Sequence, residues 1–160
     1  MDITIPDAET AYHTPYTVDL WNMTELEQIG AYMDRVENLP KSMLHVMTDQ
    51  STARVINEQI GPQFKLSPDQ IKDLTRIVRD VLLSSLYVGN LVQEIGKRLG
   101  VNEAIAKQIA TALVEQVFKS AMDDIKALQV ATFKDRIQQK TPQQEGNVIN
   151  LRDRTSKSTN

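Results

Sequence analysis

One stretch of this chain is written twice, and that limits what it can build. Residues 55–82 read VINEQIGPQFKLSPDQIKDLTRIVRDVL and residues 90–117 read NLVQEIGKRLGVNEAIAKQIATALVEQV. At a shift of 35 residues Ile60 falls on Ile95, Gly61 on Gly96, Phe64 on Leu99, Leu66 on Val101, Ser67 on Asn102, Lys72 on Lys107 and Leu74 on Ile109. Each copy gives apolar residues at helical spacing, a short break with a capping residue, and a longer helical run. The pattern predicts the same helical hairpin built twice. A weaker echo, Glu27-Gln28-Ile29-Gly30, precedes Glu58-Gln59-Ile60-Gly61 and points to a third member.

The flanking sequence fits a helical body with two tails. Residues 1–22 hold Pro6, Pro15 and no helical period, so they read as an extended arm that Tyr12, Tyr16, Leu20 and Trp21 pin to the body. Thr24-Glu25-Leu26-Glu27 has the form of a capping box, followed by a stripe of Leu26, Ile29 or Gly30, Met33 and Val36. Asn38-Leu39-Pro40 stops that helix, a short helix follows over residues 41–47, and Asp49 to Ser51 starts another that ends or kinks at Gly61-Pro62. Ser67-Pro68-Asp69-Gln70 is the clearest helix start in the chain, and Ile77 and Leu83 widen the apolar face of its helix beyond half its girth. Gly100 reads as a C-cap and Asn102 as the cap of the last and longest helix, whose pattern fades after Leu128. The expected fold is all-α, with five to seven helices over residues 23–139. A polar tail rich in Gln, Asn, Ser and Thr, read as disordered, takes up residues 140–160.

Composition narrows the function more by exclusion than by indication. The chain has no Cys, which removes disulfides, thiolate metal sites and Cys nucleophiles. No secretory signal and no apolar run long enough to span a bilayer is visible, so a soluble cytoplasmic protein is expected. Residues 1–52 hold two basic and nine acidic side chains, while residues 119–160 hold eight basic and five acidic. An acidic front and a basic back can steer partners. His13 and His45 are the only histidines; His45, flanked by Met43, Leu44, Val46 and Met47, reads as a core-edge residue. Asp123 and Asp124 are adjacent on a helix and diverge by about 100°. Phosphate-binding glycine loops and a nucleophile elbow are missing from the sequence. No enzyme, catalytic residue, metal site or cofactor is expected.

Two binding readings remain. Residues 93–109 (QEIGKRLGVNEAIAKQI) have the outline of a helix-turn-helix, with Lys97, Arg98, Lys107 and Gln108 as candidate nucleic-acid contacts. Against it, a DNA-binding face carries a basic stripe, and the second helix here has one lysine among Asn102, Glu103, Ala104 and Gln108. The other reading is a scaffold or adaptor that binds another protein or itself. Within the tail, Val148, Ile149 and Leu151 form a β-capable apolar patch able to anchor a partner.

The run Leu39-Pro40, Thr52, Ile56, Ile60, Leu66, Gln70, Leu74, Val78 and Val81-Leu82, continuing through Leu91, Leu99, Ala106, Ile109-Ala110 and Phe118, resembles a group of small all-helical proteins of unknown role. They are common in candidate-phylum bacteria with reduced genomes. The resemblance covers about residues 39–128 and rests on hydrophobic pattern. It implies a bacterial, cytoplasmic, all-helical protein and carries over no site residue.

Overall fold

A computed structural model describes residues 12–134 of the protein. Among the described residues the chain is helical, without strands. Among the described residues seven α-helices of five or more residues form one body: α1 (Leu26–Glu37), α2 (Lys41–Thr48), α3 (Gln50–Arg54), α4 (Pro68–Leu82), α5 (Leu91–Leu99), α6 (Glu103–Leu113) and α7 (Met122–Thr132).

The stretches that match in sequence share local geometry at the same 35-residue shift. Lys65 stands at φ 53° and its counterpart Gly100 at φ 67°, each turning the chain out of its first helix through the left-handed region. Ser67 and Asn102 then cap the second helices. The Ser67 hydroxyl accepts from the Gln70 amide at 3.2 Å while the Gln70 side chain accepts from the Ser67 amide at 2.8 Å, completing a capping box. Asn102 Oδ1 accepts from the Ile105 amide at 2.9 Å. Gly61 and Gly96 lie under Ile71 and Ala106, again 35 residues apart. Gln70 also joins the two hairpins, donating from Nε2 to the Leu99 carbonyl at 2.8 Å. Gly30, in the third echo, has nothing within 4 Å of where its Cβ would stand and belongs to no such turn.

The helical run begun by α3 ends at Gly61-Pro62, as expected, with its register changed on the way. It runs through a π-helical segment (Val55–Ile60), in which the Gly61 amide donates five residues back to Ile56, and ends with the turn Gly61–Gln63. The wider register carries the chain past a proline that has no amide to donate. α6 likewise passes through a π segment (Val114–Phe118) and a 3-10 turn (Lys119–Ala121) before α7. These shifts keep Val117, Phe118, Ala121 and Ile125 on the core, so the last helical run reaches Thr132 with its register changed on the way.

α4 is the hub. Leu74, Ile77, Val78, Val81 and Leu82 are all fully buried, as the widened apolar face predicts. Met43, Met47, Ile56, Ile60, Ile95, Ile109, Leu113, Phe118 and Ile125 complete the core with no exposure. Each such side chain contributes about 1.5–3 kcal/mol by leaving water. Gln129 of α7 is 2% exposed and closes the far end of α4. Its amide donates to the Val81 and Leu86 carbonyls at 3.1 and 2.9 Å and accepts from the Val88 amide at 2.9 Å.

The described part of the arm, residues 12–22, packs as turns that end in a 3-10 turn (Leu20–Asn22). Tyr16 donates from its amide to the Met47 carbonyl at 3.0 Å and stacks on Tyr32 with ring centroids 5.7 Å apart. The Tyr32 hydroxyl donates to the Tyr16 carbonyl at 2.7 Å, and burial pushes its pKa up to about 12. Tyr16 and Leu20 pin the arm, whereas Tyr12 and Trp21 remain exposed. The capping box expected at Thr24 does not form. Glu25 takes the N-cap position, which leaves the Thr24 hydroxyl one residue outside the helix and out of reach of its free amides.

Asp19 locks the arm to α4. It pairs with Arg76 at 3.0 Å and with Arg79, and the pairing continues from Arg76 to Asp73, from Arg79 to Asp80, and from Asp80 through Arg98 to Glu94. Seven alternating charges thus link the arm, α4 and α5. Burial pushes the Asp19 carboxyl up, but hydrogen bonds and charge from Arg79 and Arg76 outweigh it and hold the pKa below the ordinary carboxylate range.

Candidate functional site around the second hairpin

The four residues expected to contact nucleic acid stand on the second hairpin but do not form one basic face. Arg98, in the last turn of α5, is held by Glu94 at 2.9 Å and Asp80 at 2.8 Å. Burial alone lowers its affinity for the proton; the Asp80 and Glu94 carboxylates reverse this and raise its pKa. Lys107 pairs with Glu103 one turn earlier on α6 at 3.0 Å. Lys97 is exposed and shares with Lys107 a concavity of about 500 Å³ floored by Val92, Gly96 and Ala106. Gln108 faces away from it, into a second groove.

That second groove runs between the turn at residues 63–65 and the outer side of α6. Phe64, Val101, Ile105 and Ala112 give it an apolar floor, and Gln63, Asn102, Gln108 and Gln116 give it a rim of uncharged amides, with Lys65, Lys107 and Glu115 at its margins. Its existence follows from the hairpin geometry. The left-handed residue at Lys65 brings the first hairpin's turn alongside α6, and Phe64 is left half-buried there, where its counterpart Leu99 is 4% exposed. Ala112 leaves room that a larger side chain would fill. Sequence reasoning did not single out this groove; the size mismatch between Phe64 and Leu99 at matched positions was the available signal.

The remaining candidates are placed as follows. His45 is exposed on α2 and lies 3.5 Å from Asp49, while Met43, Val46 and Met47 take the core, so it is a surface residue and not a core-edge one. Asp124 accepts from Ser42 at 2.5 Å and Asp123 is exposed. Among the described residues no group of three His, Asp or Glu could hold a metal ion, and no helix is long and apolar enough to cross a membrane. The apolar patch of Val148, Ile149 and Leu151 lies outside the described residues. No protein-family model, no curated protein and no solved structure matches the chain.

Proposed function

We propose that the protein is a non-enzymatic helical scaffold or adaptor of the bacterial cytoplasm that binds another protein or itself, with the groove along α6 as one docking face. The observation that carries this reading is the makeup of the groove. An apolar floor under a rim of amides suits a polypeptide, whose apolar side chains fill the floor and whose backbone groups meet amide donors and acceptors. A phosphate backbone selects the opposite surface, a row of free cations, and here Arg98 and Lys107 are each engaged by carboxylates. The apolar tail patch at Val148, Ile149 and Leu151 is a second candidate anchor within the same reading.

The test is site-specific photo-cross-linking in cells, with the cross-linker at Gln108 and, as control, at Lys72. A discrete adduct from Gln108 alone, to another protein or to a second copy, is expected. The reading fails if Gln108 gives no adduct and a labelled random duplex binds with an affinity that falls steeply with salt. That outcome selects the helix-turn-helix alternative, with Lys97 as its leading contact.

A further inference from the structure

The outer face of α1 carries large apolar side chains that the other described residues leave open or only partly cover. Leu26 is 87% exposed, Met33 is 39% exposed, and Trp21, just before the helix, is 80% exposed. Leu26, Gly30 and Met33 are spaced by four and three residues and form one stripe along the helix. Glycine inside a helix lowers stability relative to alanine. Gly30 has open space where its Cβ would be, so packing within the described fold does not require it. A bare Cα in the middle of an exposed apolar stripe lets another backbone come close.

The rim of this stripe has one sign. Glu25, Glu27, Asp34 and Glu37 are exposed, and none forms a salt bridge among the described residues. Arg35, the one cation on α1, turns to the body and donates to the Leu83 carbonyl at 3.0 Å and to Ser85 at 3.2 Å. Charge therefore calls for a basic occupant, and the chain's own basic tail, residues 140–160, has Pro142, Gly146 and no sustained run of apolar residues at helical spacing to offer as an amphipathic helix. Residues 1–11 carry Asp2, Asp7 and Glu9 and no cationic side chain, and a second copy docking through its own α1 would set carboxylates against carboxylates. We propose that the Leu26–Gly30–Met33 stripe docks a basic amphipathic helix of another protein, its apolar side chains seated on either side of Gly30 and its lysines or arginines against the acidic rim. α1 is about 18 Å long, which matches three to four turns of partner helix. This surface shares no residue with the α6 groove and does not depend on it.

The experiment is fluorescence anisotropy of a labelled synthetic amphipathic helix of leucine and lysine, titrated with the full chain. Saturable binding that weakens with salt is expected, with no binding of the same peptide carrying glutamate for lysine. Leu26→Asp and Gly30→Leu should each weaken binding about tenfold or more, while Gln108→Trp in the groove leaves it unchanged. Circular dichroism should show both α1 variants folded, since neither position is packed. Equal binding of the glutamate peptide, or wild-type affinity in Leu26→Asp, overturns the proposal. So does a dimer in light scattering that Leu26→Asp dissolves, because a second copy is then the occupant. Peptide binding without any adduct from Gln108 retires the groove reading alone.

Discussion

The two hairpins share a turn and differ in the size of the side chains around it. The second helix of the first hairpin, α4, turns Leu74, Ile77, Val78, Val81 and Leu82 inward and fixes its flank with the Asp19–Arg76–Arg79 ion pairs. The second helix of the other, α6, buries Ala106, Ala110 and Ala112 alongside Ile109 and Leu113. Large side chains draw neighbours over the inner face of α4, while Asp69 and Lys72 stay exposed on its outer face. Small ones let α6 lie close to its partners yet leave its outer surface open, and the groove lies along that surface. The same kind of turn therefore leads into α4 in one hairpin and into α6, with its open outer groove, in the other, and side-chain volume decides the difference.

Substitutions at matched positions should separate the copies. The largest effect is expected from Leu99→Ala, which should cost about 2–5 kcal/mol in urea denaturation because Leu99 is buried. Phe64→Ala should cost less, roughly half of the about 3–5 kcal/mol of a fully buried phenylalanine. Equal losses would remove the asymmetry. Next, Gly61→Ala sets a Cβ 2.8 Å from the Ile71 side chain and 3.1 Å from the Ile56 carbonyl, so it should destabilise by about 1–3 kcal/mol. Gly96→Ala meets only ordinary contacts at 3.5 and 3.8 Å and should gain about 0.5–1 kcal/mol from helix propensity. The signs are opposite, and thermal melts of the pair read them directly.

At the left-handed position the signs also oppose. Lys65→Gly should stabilise by up to about 1 kcal/mol, and Gly100→Ala should destabilise by about 1–2 kcal/mol. The smallest effects are those of pH. Asp19 has a lowered pKa in the folded state, so its contribution is present above the ordinary value of about 3.9 and is lost as pH falls through the folded value. Asp19→Asn should be less stable near neutrality and should show a shallower acid loss. Tyr32 has a raised pKa, so its contribution holds below about 10 and fades as pH rises through about 12. In an ultraviolet absorbance titration the tyrosinate step near 12 should vanish in Tyr32→Phe.

What was legible in the sequence was local. Ser67, Asp49 and Asn102 cap the helices they precede, because a short oxygen-bearing side chain beside free amides acts within three residues. Gly100 takes the left-handed turn for a similar reason. Lys65 in the same conformation was not legible, since lysine does not favour it and only the match to Gly100 marks the place. Thr24 shows the limit of the rule: the arm's entry fixed Glu25 as the cap, and one residue of displacement cancelled the box. The π segments, the ion-pair ladder and the exposure of Trp21 depend on residues distant in the chain. The candidate contacts on α5 and α6 were placed on the right helices, but Asp80, 18 residues from Arg98, decides what Arg98 does.

Gln129 has a consequence for how the protein is made. The carbonyl of Leu86 and the amide of Val88 find their partner 43 and 41 residues further along, and the Val81 carbonyl, which also accepts from the Ser84 amide, gains a second donor there. While the chain is being synthesised, α4 can cap, coil and pair with α5 as each emerges, because those contacts are close in sequence. The segment joining α4 to α5 lacks its buried partner until α7 has left the ribosome. Native closure of the segment between α4 and α5 therefore waits for the side-chain amide of Gln129.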